Sequence, residues 1–169
     1  MTKNNDEQAP VVRPMRLVFC AIFVVIVLAD QATKQIMLDL IFDPPRRIEI
    51  LAIFNLVPVW NRGMSFGMLA GGGALVPIAL TSLAIAVSAW LFWMVPRLHR
   101  VQRLAAACIA GGAIGNAIDR LRFGKVVDFI DLHYAGLHWP AFNLADAAIT
   151  IGAVLWGYSI LREQETSRI

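Results

Sequence analysis

Every residue from Ala74 to Val95 is uncharged, and nearly all are apolar. Such a run suffices for a helix across a bilayer, which takes about 20 apolar residues. Pro77 falls in its first turn, where proline is tolerated. Three more runs have the same character. One starts near Leu17, is uncharged to Ala29, and continues amphipathically past Asp30 and Lys34 towards Phe42. Another covers Leu104–Ile118 and ends in Asp119-Arg120, and the last extends from Leu144 to Leu161 with Asp146 as its only charge. A chain with 58% hydrophobic residues, 16% charge and mean hydropathy +0.63 is not a soluble domain. The expectation is one all-α membrane domain over residues 1–169, a bundle of four transmembrane helices at about 15–38, 74–95, 104–121 and 143–161.

Leu17–Ala29 alone has the length of a signal-peptide core and follows Arg13 and Arg16. No small-x-small cleavage pattern precedes the next charges, so it reads as a retained span. Cys20 and Cys108 lie within spans, where free cysteine behaves as a small hydrophobe. Phe19 stands before Cys20 where a lipidation signal needs a small residue. The pI near 9.2 does not point to nucleic acid. The basic residues sit at span ends without a patch of aromatics, and anionic lipid head groups are the simpler partner.

Four spans put both termini on one side and outer loops 43–73 and 122–142 on the other. Eight of the 15 Lys and Arg residues (Lys3, Arg13, Arg16, Arg97, Arg100, Arg103, Arg162 and Arg168) fall on the terminal side. The positive-inside rule makes that side cytoplasmic. In the first outer loop Arg47-Ile48-Glu49-Ile50 alternates as a strand does, and Phe54–Trp60 is rich in strand formers. A small β element on the outer membrane surface is expected there.

With this topology the awkward polar residues gather at one depth. Asp30 and Lys34 end the first span at the outer side. Asn116, Asp119 and Arg120 end the third, and Asn143 and Asp146 open the fourth. Asn61, Arg62, Gly63 and Asp128 lie in the outer loops. Ionisable groups within a membrane are costly and mark functional sites. Each also has a plainer reading. Asp30 and Lys34 fit a helical ion pair, Asp119 near a helix C-terminus wants a cationic partner, and Arg120 fits a lipid-phosphate anchor. Asn143 with Asp146 resembles a capping box. Asp128 interrupts an apolar run in a loop and caps nothing obvious. Ala107, Gly111 and Gly115 at four-residue spacing need no role beyond close helix packing.

Other chemistries fit less well. Gly63-Met64-Ser65-Phe66-Gly67 matches the nucleophile-elbow pattern, with His133 and His138 on the same side, but lacks the α/β sheet that elbow requires. No third ligand is spaced to join the two histidines on a metal. A transporter would place charges near the midplane of repeated halves, and this chain has neither. A structural subunit would tolerate the loss of Asp128.

The motifs Asp30-Gln31-x-x-Lys34, Asn61-x-Gly63-x-Ser65-Phe66, Gly112-x-x-Gly115-Asn116-x-x-Asp119-Arg120, Val126-Val127-Asp128-Phe129 and Phe142-Asn143-Leu144-Ala145-Asp146 resemble, in order and spacing, the lipoprotein signal peptidases (signal peptidase II). The resemblance implies a four-helix inner-membrane aspartyl peptidase with a small β-cradle on the periplasmic side. Such an enzyme cuts diacylglyceryl-modified prolipoproteins just before the lipidated cysteine and needs no metal or organic cofactor. The catalytic pair would be Asp128 and Asp146. Asp30, Lys34, Asn61, Gly63, Asn116, Asp119, Arg120 and Asn143 would support them, with Arg62 beside Asn61 helping to hold substrate. Ser65, alanine in many members, is then no nucleophile, and Met64 departs from the smaller residue common there. The implied partners are prolipoprotein substrates and membrane lipids, with the enzyme a monomer. Two nearby carboxylates share one proton; Asp146, beside a helix N-terminus, is expected to be the ionised base.

Overall fold

The computed structural model describes residues 9–63 and 75–166. In chain order these form helix α1 (Ala9–Ile41), strands β1 (Ile48–Leu51) and β2 (Phe54–Asn61), helix α2 (Leu75–Met94), and a short 3-10 turn (Val95–Arg97). Helix α3 (Arg100–Phe123), strands β3 (Val126–Tyr134) and β4 (Leu137–His138), and helix α4 (Leu144–Thr166) follow. All four helices contain a segment long and apolar enough to cross a membrane.

Helix α3 is the least apolar of the four, yet it is the most buried. Its small residues explain this. Ala105, Ala106, Ala107, Ala110, Gly111 and Gly112 let α1, α2 and α4 approach closely. A Cβ on Gly112 would collide with the Ala145 carbonyl, and one on Gly152 of α4 would fall 2.7 Å from that of Ala105. Gly115 exceeds the packing role expected of it. A Cβ there would lie 2.5 Å from Asp30 Oδ2, so its bare Cα makes room for a carboxylate.

Helices α1, α3 and α4 overrun their expected ends, whereas α2 stays within its own. Helix α1 reaches Ile41, where Arg46 folds back, its Nε donating to the Leu40 carbonyl at 2.7 Å. Helix α3 continues to Phe123 because its stop is Gly124, left-handed at φ 68°, whose N–H bonds the Arg120 carbonyl at 2.9 Å.

The β element is larger than expected and differently built. The antiparallel sheet has the order β1-β2-β3-β4, so the segment expected as a loop at 122–142 supplies half of it. Asp128 therefore lies on a strand, paired with Val59, and not in a loop. The stretch Val126–Phe129 shows no alternation because β3 is buried on both faces there. The β2–β3 register slips between Leu56 and Val59. Pro58 sits in that interval and has no N–H to give the ladder. Ile41, Val127 and Phe129 form the core beneath the sheet, fastening it to the end of α1.

Candidate active site

Lys34 organises the polar end of the bundle. One helical turn beyond Asp30, it is 2% exposed, with Asp30 at 0% and Asp119 at 1%. An ammonium has three donors and no acceptor, and Lys34 Nζ meets three oxygens: Asp30 Oδ2 at 2.9 Å, Asp119 Oδ2 at 3.0 Å and Asn116 Oδ1 at 2.9 Å. The expected helical pair is real but forms part of a larger net. Buried charges persist only where such partners offset desolvation.

The carboxylates pass the connection on. Asp30 Oδ1 accepts the Ala145 N–H at 3.0 Å, and Asp119 Oδ2 accepts that of Val127 at 3.0 Å. Gln31 Nε2 reaches Asp30 Oδ2, the Gly115 carbonyl and Asp119 Oδ1 at 3.1–3.2 Å. Helices α1, α3 and α4 and strand β3 are thereby pinned at one level. Sequence reasoning gave Gln31 no role, although an amide beside Asp30 within an apolar span was the available signal.

Three asparagines carry the net to Asp128 and Asp146, and each is oriented by its other contact. Lys34 can only donate, so Asn116 turns Oδ1 towards it and gives Nδ2 to Asp146 Oδ1 at 2.8 Å. Asn143 caps α4: its Oδ1 accepts the Asp146 N–H at 3.0 Å, and its own N–H reaches Asp146 Oδ2 at 3.2 Å. That leaves Nδ2 for Asp128 Oδ1 at 2.7 Å, with Asn116 Oδ1 and the Val127 carbonyl also in reach. Asn61, at the end of β2, accepts the Gly63 N–H at 2.7 Å and donates Nδ2 to Asp128 Oδ2 at 2.9 Å. Gly63 has φ 85°, which suits glycine. The capping box and the link between the two aspartates are thus the same side chain.

Asp128 is 1% exposed. Burial, reinforced by the neighbouring charge of Asp146, pushes its carboxyl up to about 7, while the Asn61 and Asn143 amides pull the other way. A carboxyl at that level can hold a proton or release it near neutrality.

Both aspartates reach space. Asp128 lines a cavity of about 300 Å³ with Asn61, Arg62, Trp60 and Pro140. Asp146 borders two apolar clefts. One, of about 430 Å³, lies between α4 and Leu132, Trp139 and Phe142. The other, of about 300 Å³, lies between α2, α3 and the start of α4 and includes Arg120. Arg120 is half-buried, close enough to Asp146, Asp119 and Asp128 to feel their charge, and forms no ion pair among the described residues. Arg62 is exposed. His133 and His138 stack 4.8 Å apart, and His138 Nδ1 pairs with Asp131 at 2.8 Å, away from the aspartate pair. Met64 and Ser65 lie outside the described residues.

The profile of the signal peptidase (SPase) II family matches residues 22–162. The lipoprotein signal peptidase of Paraburkholderia phymatum is 45% identical over 148 residues, covering 86% of this chain and 88% of that protein. Its counterpart in Burkholderia thailandensis is 43% identical over 150 residues, 87% and 89% of the two chains. Among solved structures, a bacterial membrane enzyme at 2.3 Å resolution superposes with a TM-score of 0.75 and 28% identity, covering 88% of this chain and 90% of that one. A second, at 1.9 Å, gives 0.72 and 29%, covering 85% and 92%.

Proposed function

This chain belongs to the signal peptidase II family, and we propose that Asp128 and Asp146 are the carboxylates with which it works. It is a membrane protease of the aspartic type that removes signal peptides from lipoproteins. In our reading its substrates are diacylglyceryl-modified prolipoproteins, and the bond cut is the one before the lipidated cysteine.

The observation that carries this reading is the Asn143 bridge. One side chain holds the start of α4 around Asp146 and donates to Asp128 at 2.7 Å. Two carboxylates so coupled share a proton. Asp128, raised to about 7, is the member that keeps it. Asp146 accepts from Asn116 and from the Asn143 N–H and serves as the base. Asp146 takes a proton from water as the oxygen attacks the scissile carbonyl carbon. Asp128 gives its proton to the carbonyl oxygen. As the tetrahedral intermediate collapses, the C–N bond breaks, the amine leaves with a proton returned by the pair, and the new carboxyl stays on the signal peptide. No step needs a cofactor.

Asn61 fixes Asp128, and with Arg62 it borders the cavity where the peptide backbone would lie. Asp30, Lys34, Asn116, Asp119 and Asn143 set the geometry, with Gly63 giving the close turn after β2. The cleft at Asp146 that lies between α2, α3 and the start of α4 suits lateral entry of a lipidated peptide from the bilayer. We place the termini in the cytoplasm and the site at the periplasmic face of the bacterial inner membrane, and take the enzyme to act as a monomer. Incubation of the purified protein with a lipidated prolipoprotein peptide, with Asp128→Asn and Asp146→Asn in parallel, tests the reading. Cleavage by the unsubstituted protein and none by either variant is expected.

A further inference from the structure

Beside the aspartate cavity lies a second one, which shares Arg62 with it and is lined by neither Asp128 nor Asp146. It has a volume of about 450 Å³ and sits where the start of α2 meets the end of α3 and the sheet. Arg62, Arg120 and Lys125 line it, with Pro77, Ile78 and Phe123 as apolar wall and no acidic residue. Among the described residues none of these three cations forms an ion pair. Arg120 Nε is buried without a hydrogen-bond partner. Lys125 Nζ lies 3.9 Å from the centre of the Trp60 ring, held over a face that fixes its place without neutralising it. The acids close enough to act on Arg120 are Asp146, Asp119 and Asp128, and none of them lines this cavity.

Depth identifies the anion. The 24 residues of α3 span roughly 36 Å, whereas the hydrocarbon core is about 30 Å thick. Its last turn, with Arg120 and Phe123, therefore reaches the level of lipid head groups. The anion concentrated there is the phosphodiester of a phospholipid. Two guanidinium forks and an ammonium from three segments suit its oxygens, and Pro77 and Ile78 offer a surface to the glycerol and first methylenes.

We propose that Arg62, Arg120 and Lys125 form a binding site for the phosphate of one anionic phospholipid, seated between α2 and α3 next to the active site. Delipidated full-length protein in neutral detergent, titrated with phosphatidylglycerol, phosphatidylcholine or inorganic phosphate and observed by native mass spectrometry, tests this. One phosphatidylglycerol should stay bound at concentrations where phosphatidylcholine does not. Each cation near a lipid surface contributes about 1 kcal/mol, so Arg62→Gln with Lys125→Gln should weaken that binding by roughly thirtyfold. Lys125→Arg should keep it, and so should Arg47→Gln, which removes a cation beside β1 outside the cavity. Equal retention of the two lipids, or unchanged binding in the double variant, would overturn the site. An equal loss in Arg47→Gln would do so too, since it means diffuse attraction. Displacement of the lipid by inorganic phosphate would show a bare-anion site instead.

Discussion

Lys34 Nζ lies 2.9 Å from Asn116 Oδ1, and that contact decides which end of the Asn116 amide faces Asp146. A charge buried in α1 thereby orients a donor on α3 towards a carboxylate on α4. Lys34→Met should cost about 3–5 kcal/mol, because it leaves Asp30 and Asp119 buried without their cation. Thermal unfolding in detergent measures this. A loss below 1 kcal/mol would mean the net carries little stability.

Asn143 has two separable duties. Asn143→Ala removes the cap of α4 and should cost about 1 kcal/mol. Asn143→Ser keeps a capping oxygen but loses the Nδ2 that meets Asp128. The serine variant should therefore recover most of the stability and little of the activity. Recovery of both would reduce Asn143 to a helix cap.

Asp128 sets a pH dependence of known sign. Its carboxyl is raised to about 7 by burial and by Asp146, so the proton-donating form disappears as pH rises through that value. Cleavage should show an alkaline limb near pH 7. Asn61 donates to Asp128 and pulls the carboxyl down. Asn61→Ala should move the limb to higher pH; a shift to lower pH would contradict the assignment.

The same shift has a stability consequence. A carboxyl at about 3.8 when unfolded and about 7 when folded favours the folded state fully below pH 4 and loses that contribution as pH climbs to about 7. Relative to Asp128→Asn, the unsubstituted protein should lose roughly 4 kcal/mol over that window and nothing further above it. A constant difference between the two from pH 4 to 8 would count against the raised carboxyl.

Gly115→Ala tests the fit of α3 against α1. The added Cβ would stand 2.5 Å from Asp30 Oδ2, so Asp30 has to shift away from Lys34 and from the Ala145 N–H. A loss of about 1–3 kcal/mol is expected. Gly124 has open space and only its left-handed φ to defend, so alanine there should be milder.

The spans and the gathering of polar residues at one end were legible because both follow from burial energetics that act on sequence directly. Asp128 on a strand was not. Val126–Phe129 is buried on both faces and shows no period, so an apolar run with one acid looks like an irregular loop. The end of α3 lies beyond the polar boundary expected at Asp119-Arg120 because Asp119 turns inward to the net, and the true stop is Gly124. Gln31 passed without a role because its three acceptors come from α3 as well as α1. The basic cavity was out of reach for the same reason: Arg62, Arg120 and Lys125 come together only once β2, α3 and β3 meet.

The central claim is that Asp128 and Asp146 form one catalytic pair. Signal-peptide release from a lipidated prolipoprotein peptide, by the purified protein and by correctly folded Asp128→Asn and Asp146→Asn, tests it most directly. Cleavage by the unsubstituted protein and a loss of about a thousandfold or more in each variant is the predicted result. Near-normal cleavage by either variant would contradict the claim.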